Sequence, residues 1–467
     1  MVVEAVRERL PLLLEYLGEE MATRKHVEDL YAYETAPVHL ERQLLLKEMV
    51  REHLGTIFSV QEIEDGRIDW ECGWVINIFD HHVPLNHAFS LGTNILSGFP
   101  EIGREEPKGL VVLSDSGVPL NNVLFNRGFS FRDHRIPLFT NRNRHRVVFG
   151  TGLIEEFPKI ELPDAPSEMR ALSEVVEAVH ALIEAAVDFP GLSGFPDQVS
   201  RINHRFWPTL FAESLRPRVP AFFHASHESV ANRMLLKYLT DPTHLFTRIL
   251  CDTSLREKVL ETFDGISGCW DLAAGHGTDF FWGLDSEGAA VRLTLEGDAL
   301  VNRDCGIRVA LESEALREAI RNARVYPGMF LVYGMTHFHC GVRPLGGIAS
   351  VNYLTAMKAA WIRLLQEEDP PEGRLVSRVD TRGCIGGPIL AWKRNGTTTD
   401  PMFALEVVSR GGFDEAYLEQ LGPRTFGSLI KPALLTVFAD FLKDERRESL
   451  TITPEDVAGE DGLAIFE

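Results

Sequence analysis

The chain lacks the marks of several large protein classes. Its six cysteines, Cys72, Cys251, Cys269, Cys305, Cys340 and Cys384, are scattered, with no CxxC pair and no regular disulfide framework. That usage fits reduced thiols. No apolar run approaches the roughly eighteen residues needed to span a bilayer, and Val2 to Leu17 is an amphipathic helix too charged for a secretory h-region. A cytoplasmic location and no membrane partner are therefore expected. Positive charge is scarce: 47 Lys and Arg face 68 Asp and Glu, a net charge of −21. That balance argues against nucleic acid as a partner. Three signatures are also absent: GxxxxGK[ST] for a P-loop, GxGxxG after a strand for a dinucleotide, and GxSxG for a hydrolase nucleophile.

What is there is an ordinary globular composition, 45% apolar and 25% charged, over 467 residues. Helical periodicity runs through Val6, Leu10, Leu13, Leu14 and Leu17, then Leu40, Leu44, Leu45, Met49 and Val50. From Thr56 the pattern predicts strands at Thr56–Val60, Trp74–Phe79, Gly109–Leu113 and Arg146–Phe149, with a helix from Ala88 interrupted by Gly92. Strand, helix, strand with polar strand ends predicts an α/β fold: a Rossmann-like parallel sheet core with a helical N-terminal segment and additional α+β insertions. The expected blocks are a helical segment (1–55), the first part of the core (56–160) and a helical and hairpin insertion region (161–310). The second part of the core with a glycine-rich loop (311–440) and an acidic, frayed tail (441–467) complete them. Within the insertion region, Ser167 is expected to cap a helix to Val187, and Phe280–Leu295 to form a hairpin around Asp285–Gly288.

Four constellations carry candidate chemistry. Asp80-His81-His82-Val83-Pro84-Leu85-Asn86-His87 packs three imidazoles and a carboxylate where a strand ends and a helix begins. In open α/β sheets ligands bind in that crevice. Ser114-Asp115-Ser116, followed by Asn121 and Asn122, ends the next strand, where Asp115 would orient a ribose, an amine or a metal ion. His224-x-x-His227-Glu228 opens a helix; it lacks the HExxH spacing of zinc hydrolases, and helix capping explains it equally. His337-Phe338-His339-Cys340 runs into Arg343 and Gly346-Gly347. If extended, it places His337 and His339 on one face, while the double glycine and Arg343 suit an anion. Arg127 to Arg146 adds six arginines and two histidines in twenty residues, a local basic exception to the acidic whole.

Several of these segments together resemble one family. Asp80–His87, then Thr93-Asn94, then Val111-Val112-Leu113-Ser114-Asp115 is similar to the N-terminal strand–GHQ–helix–strand unit of the BshC-like proteins. That family is named for the cysteine-adding enzyme assigned to bacillithiol biosynthesis. Thr278-Asp279-Phe280-Phe281-Trp282 and Gly341–Tyr353 resemble later blocks in the same order. The resemblance implies a Rossmann-like core of the class I aminoacyl-tRNA synthetase kind, nucleotide binding and a ligase-like condensation. It places His81 as the GHQ histidine facing a phosphate, with Asp80 and His82 where the family has glycine and glutamine.

The expectation is an enzyme that binds a nucleotide or phosphorylated small molecule and carries out ligase-like condensation or group transfer on a small metabolite, with ATP or ADP and magnesium as the expected cofactors. His81, His82 and Asp115 are the candidate catalytic residues. His87, Asn94, Ser114, Ser116, Arg343, Gly346 and Gly347 are the candidate cofactor-binding residues. Two alternatives stand beside it. One is a metal-dependent hydrolase using His224, His227, His337 and His339; the other is a non-catalytic assembly or partner protein. The sequence leaves open a homo-oligomer.

Overall fold

A computed structural model describes residues 2–18, 20–71, 75–121, 126–131, 134–138, 145–155, 168–439, 453 and 465–466. Trp74, Asn122, Arg132, Arg142, Arg144, Ser167 and most of the acidic tail lie outside them. Among the described residues no helix is long and apolar enough to cross a membrane.

The fold is mixed α/β, with helices around small sheets of two or three strands. Seven strands bear on the site: β1 (Val75–Asn77), β2 (Leu110–Ser114), β3 (Phe222–Ser226), β4 (Phe281–Leu284), β5 (Ala290–Arg292), β6 (Val325–Pro327) and β7 (Arg343–Leu345). β2 and β3 pair in parallel, Leu110 opposite Phe222 and Ser114 opposite Ser226. β1 and β7 do the same, Val75 opposite Arg343 and Asn77 opposite Leu345. The parallel pairing thus comes in two pieces, not one long sheet. The chain beyond β1 closes the gap: His81 bridges Asp115, with His82 N donating to Asp115 O at 2.9 Å and Asp115 N to Asp80 O at 3.2 Å. Separately, β4 pairs antiparallel with β5 and β6, as the hairpin expectation required.

Several helices bear on the same region: α1 (Pro37–Ile57), α2 (Ala88–Gly98), α3 (Phe195–Phe206), α4 (His227–Tyr238) and α5 (Ser350–Glu368). The expected strand at Thr56–Val60 is overturned. Leu46, Met49, Val50, His53, Leu54 and Ile57 form one buried stripe at helical spacing, so α1 runs through Ile57. Ser59 then opens a short helix, Val60–Asp65, through a capping box with Glu62. Arg146–Phe149 is not a strand either, since only isolated bridges hold Arg146 and Val147. The N-terminal helix is two short ones, Val2–Arg9 and Leu13–Leu17.

Two apolar cores form, and both cut across the sequence blocks. One joins Val6 and Phe89 to Phe206, Trp207 and Leu429; the other joins Leu46 and Phe223 to Phe330 and Trp361. Of the tail, Ile465–Phe466 is described and pairs in parallel with the strand Trp392–Asn395.

α2 continues through Gly92, which the sequence marked as a break, because the glycine serves a close approach. A Cβ there would overlap the carbonyl of Pro388. Alanine gains up to about 1 kcal/mol of helix propensity, but pressing a methyl against a backbone carbonyl costs about 1–3 kcal/mol. Gly92→Ala is therefore expected to lower the urea midpoint; an unchanged or higher midpoint would show that this contact is loose.

Candidate functional site

The parallel segments end side by side, so Asp80–His82, Ser114–Ser116 and Ser226–Glu228 converge. A buried hydrogen-bond chain sets their orientation, and it starts at Asn203 on α3. Leu85 N donates to Asn203 Oδ1 at 2.9 Å, which fixes the amide. Its Nδ2 therefore donates, to Val83 O and to His224 Nδ1, each at 2.8 Å. His224 then carries its proton on Nε2, which faces Ser114 Oγ at 2.5 Å and Asp80 Oδ2 at 3.0 Å. The Ser114 hydroxyl passes the polarity on to His82 Nδ1 at 3.0 Å, and His82 Nε2–H donates to Pro196 O at 2.9 Å. Asn203, His224, Ser114 and His82 are all fully buried.

This chain decides the fate of two sequence candidates. His82 and Ser114 have their polar atoms committed inside the protein. Burial, then the neighbouring His224, holds His82 well below the ordinary histidine range, so it stays neutral. Asn94 belongs to the same interior, its Nδ2 donating to Asp80 Oδ2 and Ser90 O, each at 2.9 Å. Asp80 keeps one oxygen, Oδ1, with no partner.

Asp115 is different. Its side chain is 19% exposed and borders a cavity of about 360 Å³ with Gly117, His145, Glu228, Trp282, Tyr326 and Tyr333. Tyr333 donates its hydroxyl to Asp115 Oδ2 at 2.6 Å. Burial, then the Asp115 charge, pushes the Tyr333 hydroxyl well above the usual range, so it remains a donor. His227, the first residue of α4, sets Nδ1 3.3 Å from Asp115 Oδ1, and its Nε2 is 3.1 Å from Thr336 Oγ1. Glu228 clamps the loop behind: its carboxylate accepts from Ser116 N, Ser116 Oγ and Gly117 N at 2.7–2.8 Å. Burial, then the charge of Asp115, raises the Glu228 carboxyl, against those donors. Ser116 is thus a tether of Glu228.

The remaining candidates are not brought to this cavity. His81 is half-buried beside Asp115, with Nδ1 buried and unpartnered; burial holds it below the ordinary range, opposed by Asp80 and Asp115. His87 caps α2, accepting from Phe89 N, and burial holds it at about 4. Arg343 lies at the opposite end of β7. Its guanidinium donates to Asp29 O, Leu30 O and Asp380 Oδ2 at 2.7–3.0 Å. Gly346 N donates to Gly383 O and Gly347 N to Ser350 Oγ, and a Cβ at Gly347 would overlap the Phe79 ring. These glycines permit close packing, and their N–H groups are spoken for.

The expected extended run at His337–His339 is overturned: Gly334–His339 is a wide helical turn continuing Met329–Tyr333. It splits the two histidines. His337 faces His227, ring centroids 5.8 Å apart, and donates Nδ1–H to Val342 O, leaving Nε2 buried and unpartnered. His339 points away to Glu372 (3.0 Å), which also holds Arg42 through two bonds of 2.7 and 2.8 Å. Among the described residues no group of three or more His, Cys, Asp or Glu is arranged to hold a metal ion. The sequence singled out neither Tyr333 nor Asn203; a lone tyrosine in an apolar run and an asparagine inside a helix carry no signal by themselves.

No protein-family model matches the chain, and no curated protein matches it either.

Two outcomes test this geometry. Asn203→Ala would strand Leu85 N, Val83 O and His224 Nδ1; with about 1–3 kcal/mol for each buried unpaired group, chemical denaturation is expected to show a loss of about 3 kcal/mol or more. A loss below about 1 kcal/mol would mean the chain is not held as described. Glu372 supplies the pH test. Burial opposes its charge, but hydrogen bonds from His339 and Arg42 and their charges hold it at about 2, below its ordinary 4.5. A depressed carboxylate stabilises the fold above its unfolded value and loses that contribution as pH falls toward 2. Stability is expected to drop by about 2–3 kcal/mol between pH 5 and pH 2 from this group, and Glu372→Gln to flatten that acid limb. Parallel acid limbs in the two proteins would contradict it.

Proposed function

We propose that this chain is an enzyme that binds a small molecule in the cavity at Asp115 and takes a proton from its amine or hydroxyl group. That atom then attacks an electrophilic acyl or phosphoryl centre of a second substrate, whose leaving group departs with the electron pair of the bond that breaks, in a condensation or group transfer. The observation that carries the reading is Asp115 itself: a strand-end carboxylate that reaches a cavity of ligand size, with Tyr333 and His227 behind it. Tyr333 steadies the charged carboxylate. The Thr336 hydroxyl donates to Val332 O, which leaves its lone pair for a His227 Nε2–H; Nδ1 then faces Asp115 across 3.3 Å as the acceptor for the proton that Asp115 takes up.

The parallel pairs and the His81–Asp115 bridge support a Rossmann-like crevice as the setting. The ligase-like condensation implied by the BshC resemblance is one form of this chemistry. For a nucleotide the support is thinner. Among the described residues the cavity lining holds two carboxylates and no Lys or Arg, so phosphates would need magnesium beside Asp115 or arginines near His145.

The test is ligand-induced thermal stabilisation with primary amines, amino acids, and ATP, ADP or AMP with and without magnesium. At least one class is expected to raise the Tm of the wild type, and Asp115→Asn to weaken that ligand about tenfold or more while leaving the unliganded Tm close to wild type. Equal binding by both proteins, or no response to any class, would overturn the reading.

A further inference from the structure

Beside the Asp115 cavity lies a second one, of about 390 Å³, whose walls include Trp270, Phe280, Trp282 and Phe330. The two adjoin: Trp282, Gly328 and Met329 line both. We propose that this second cavity receives a planar heteroaromatic ring at the far end of the same ligand whose amine or hydroxyl meets Asp115. The proposal rests on the proton-transfer reading only for the near end of that ligand.

Three observations carry it. The walls are preformed: Trp270 packs edge-on against Phe330 (5.1 Å, 62°) and Phe280 (5.5 Å, 77°), so the ring faces are set before a ligand arrives. Phe280 holds a φ of 62°, a conformation costly for a bulky side chain. Its carbonyl, accepting from Gly328 N at 2.8 Å, ties that strained residue to the wall both cavities share. Strain kept at a cavity wall is the pattern of a preorganised site. Finally, Trp270 Nε1–H is buried with no acceptor. An unpaired buried donor is costly, and since Trp270 lines this cavity a ligand's ring nitrogen or carbonyl would supply its acceptor. Apolar ligands lacking an acceptor would leave it stranded.

A nucleoside presents such a ring, an indole amine presents a ring without the acceptor, and calorimetry can separate them. The probes are adenosine (ring and hydroxyls), tryptamine (ring and amine) and butylamine (amine alone), titrated into the full chain. Adenosine is expected to bind about tenfold or more tighter than butylamine, as base stacking on an aromatic wall provides. Trp282→Ala should erase that preference. Trp270→Phe keeps the packing and removes the donor; it should weaken adenosine more than tryptamine. Circular dichroism confirms that each variant is folded. Preference for adenosine supports a nucleobase-like ring, and preference for tryptamine, whose indole N–H only donates, overturns the acceptor-bearing ring. No ring preference in the wild type, or one that survives both substitutions, overturns the proposal. If Asp115→Asn binds every probe as the wild type does while Trp282→Ala loses the ring preference, the ring pocket stands and the proton-transfer reading falls.

Discussion

One buried amide sets the polarity of everything around the strand ends. Because Leu85 N occupies Asn203 Oδ1, the other end of that side chain has to donate, and each later group in the chain inherits its direction. His224 must then be a donor toward Ser114 and Asp80, Ser114 a donor to His82, and His82 a donor to a carbonyl. In a low-dielectric interior every one of these bonds is stronger than in water, and every broken one is more costly. The network therefore acts as a rigid frame. It holds two histidines and a serine out of reach of solvent, and in doing so fixes where the neighbouring Asp115 emerges.

The frame explains how an acidic chain can keep so many histidines near one another. His82, His87 and His337 are neutral because burial, and then the neighbouring imidazoles, disfavour their charged forms. A neutral imidazole offers one donor and one acceptor, which is what a directed hydrogen-bond chain requires. Charged imidazoles at the same distances would repel. The carboxylates divide in the same way. Asp80 is sealed inside against His224 and Asn94, whereas Asp115 keeps part of its surface on a cavity.

The convergence of the candidate segments was legible in the sequence because their residues are local clusters at the ends of apolar runs. Asp80–His87, Ser114–Ser116 and His224–Glu228 each announce a strand end, and the parallel pairing does bring them together. Their division of labour was not legible. Whether a histidine faces a cavity or a carbonyl depends on the tertiary position of Asn203, and on residues far away in sequence. The junction of two helices at Thr56–Val60 shows the same limit from another side. A short β-branched run suggested a strand, but the buried stripe of α1 and the Ser59–Glu62 capping box outweighed that local preference. Arg343 read as an anion site because its sequence neighbours are glycines. In space its neighbours are the carbonyls of Asp29 and Leu30 and the carboxylate of Asp380.

The wide helical turn at Gly334–His339 connects these themes. A regular α-helix continuing from Met329–Tyr333 would keep a 100° step per residue; the i→i+5 turn, seen in Cys340 N donating to Met335 O, changes that phase. Thr336 and His337 are thereby turned toward His227, and His339 toward Glu372 and Arg42. Such turns are uncommon and cluster at functional sites. Here the irregularity separates two demands that a regular helix would place in conflict. One face must supply uncharged partners behind Asp115, and the other must close an ion pair that anchors α1. The same six residues meet both because the backbone gives up one regular turn.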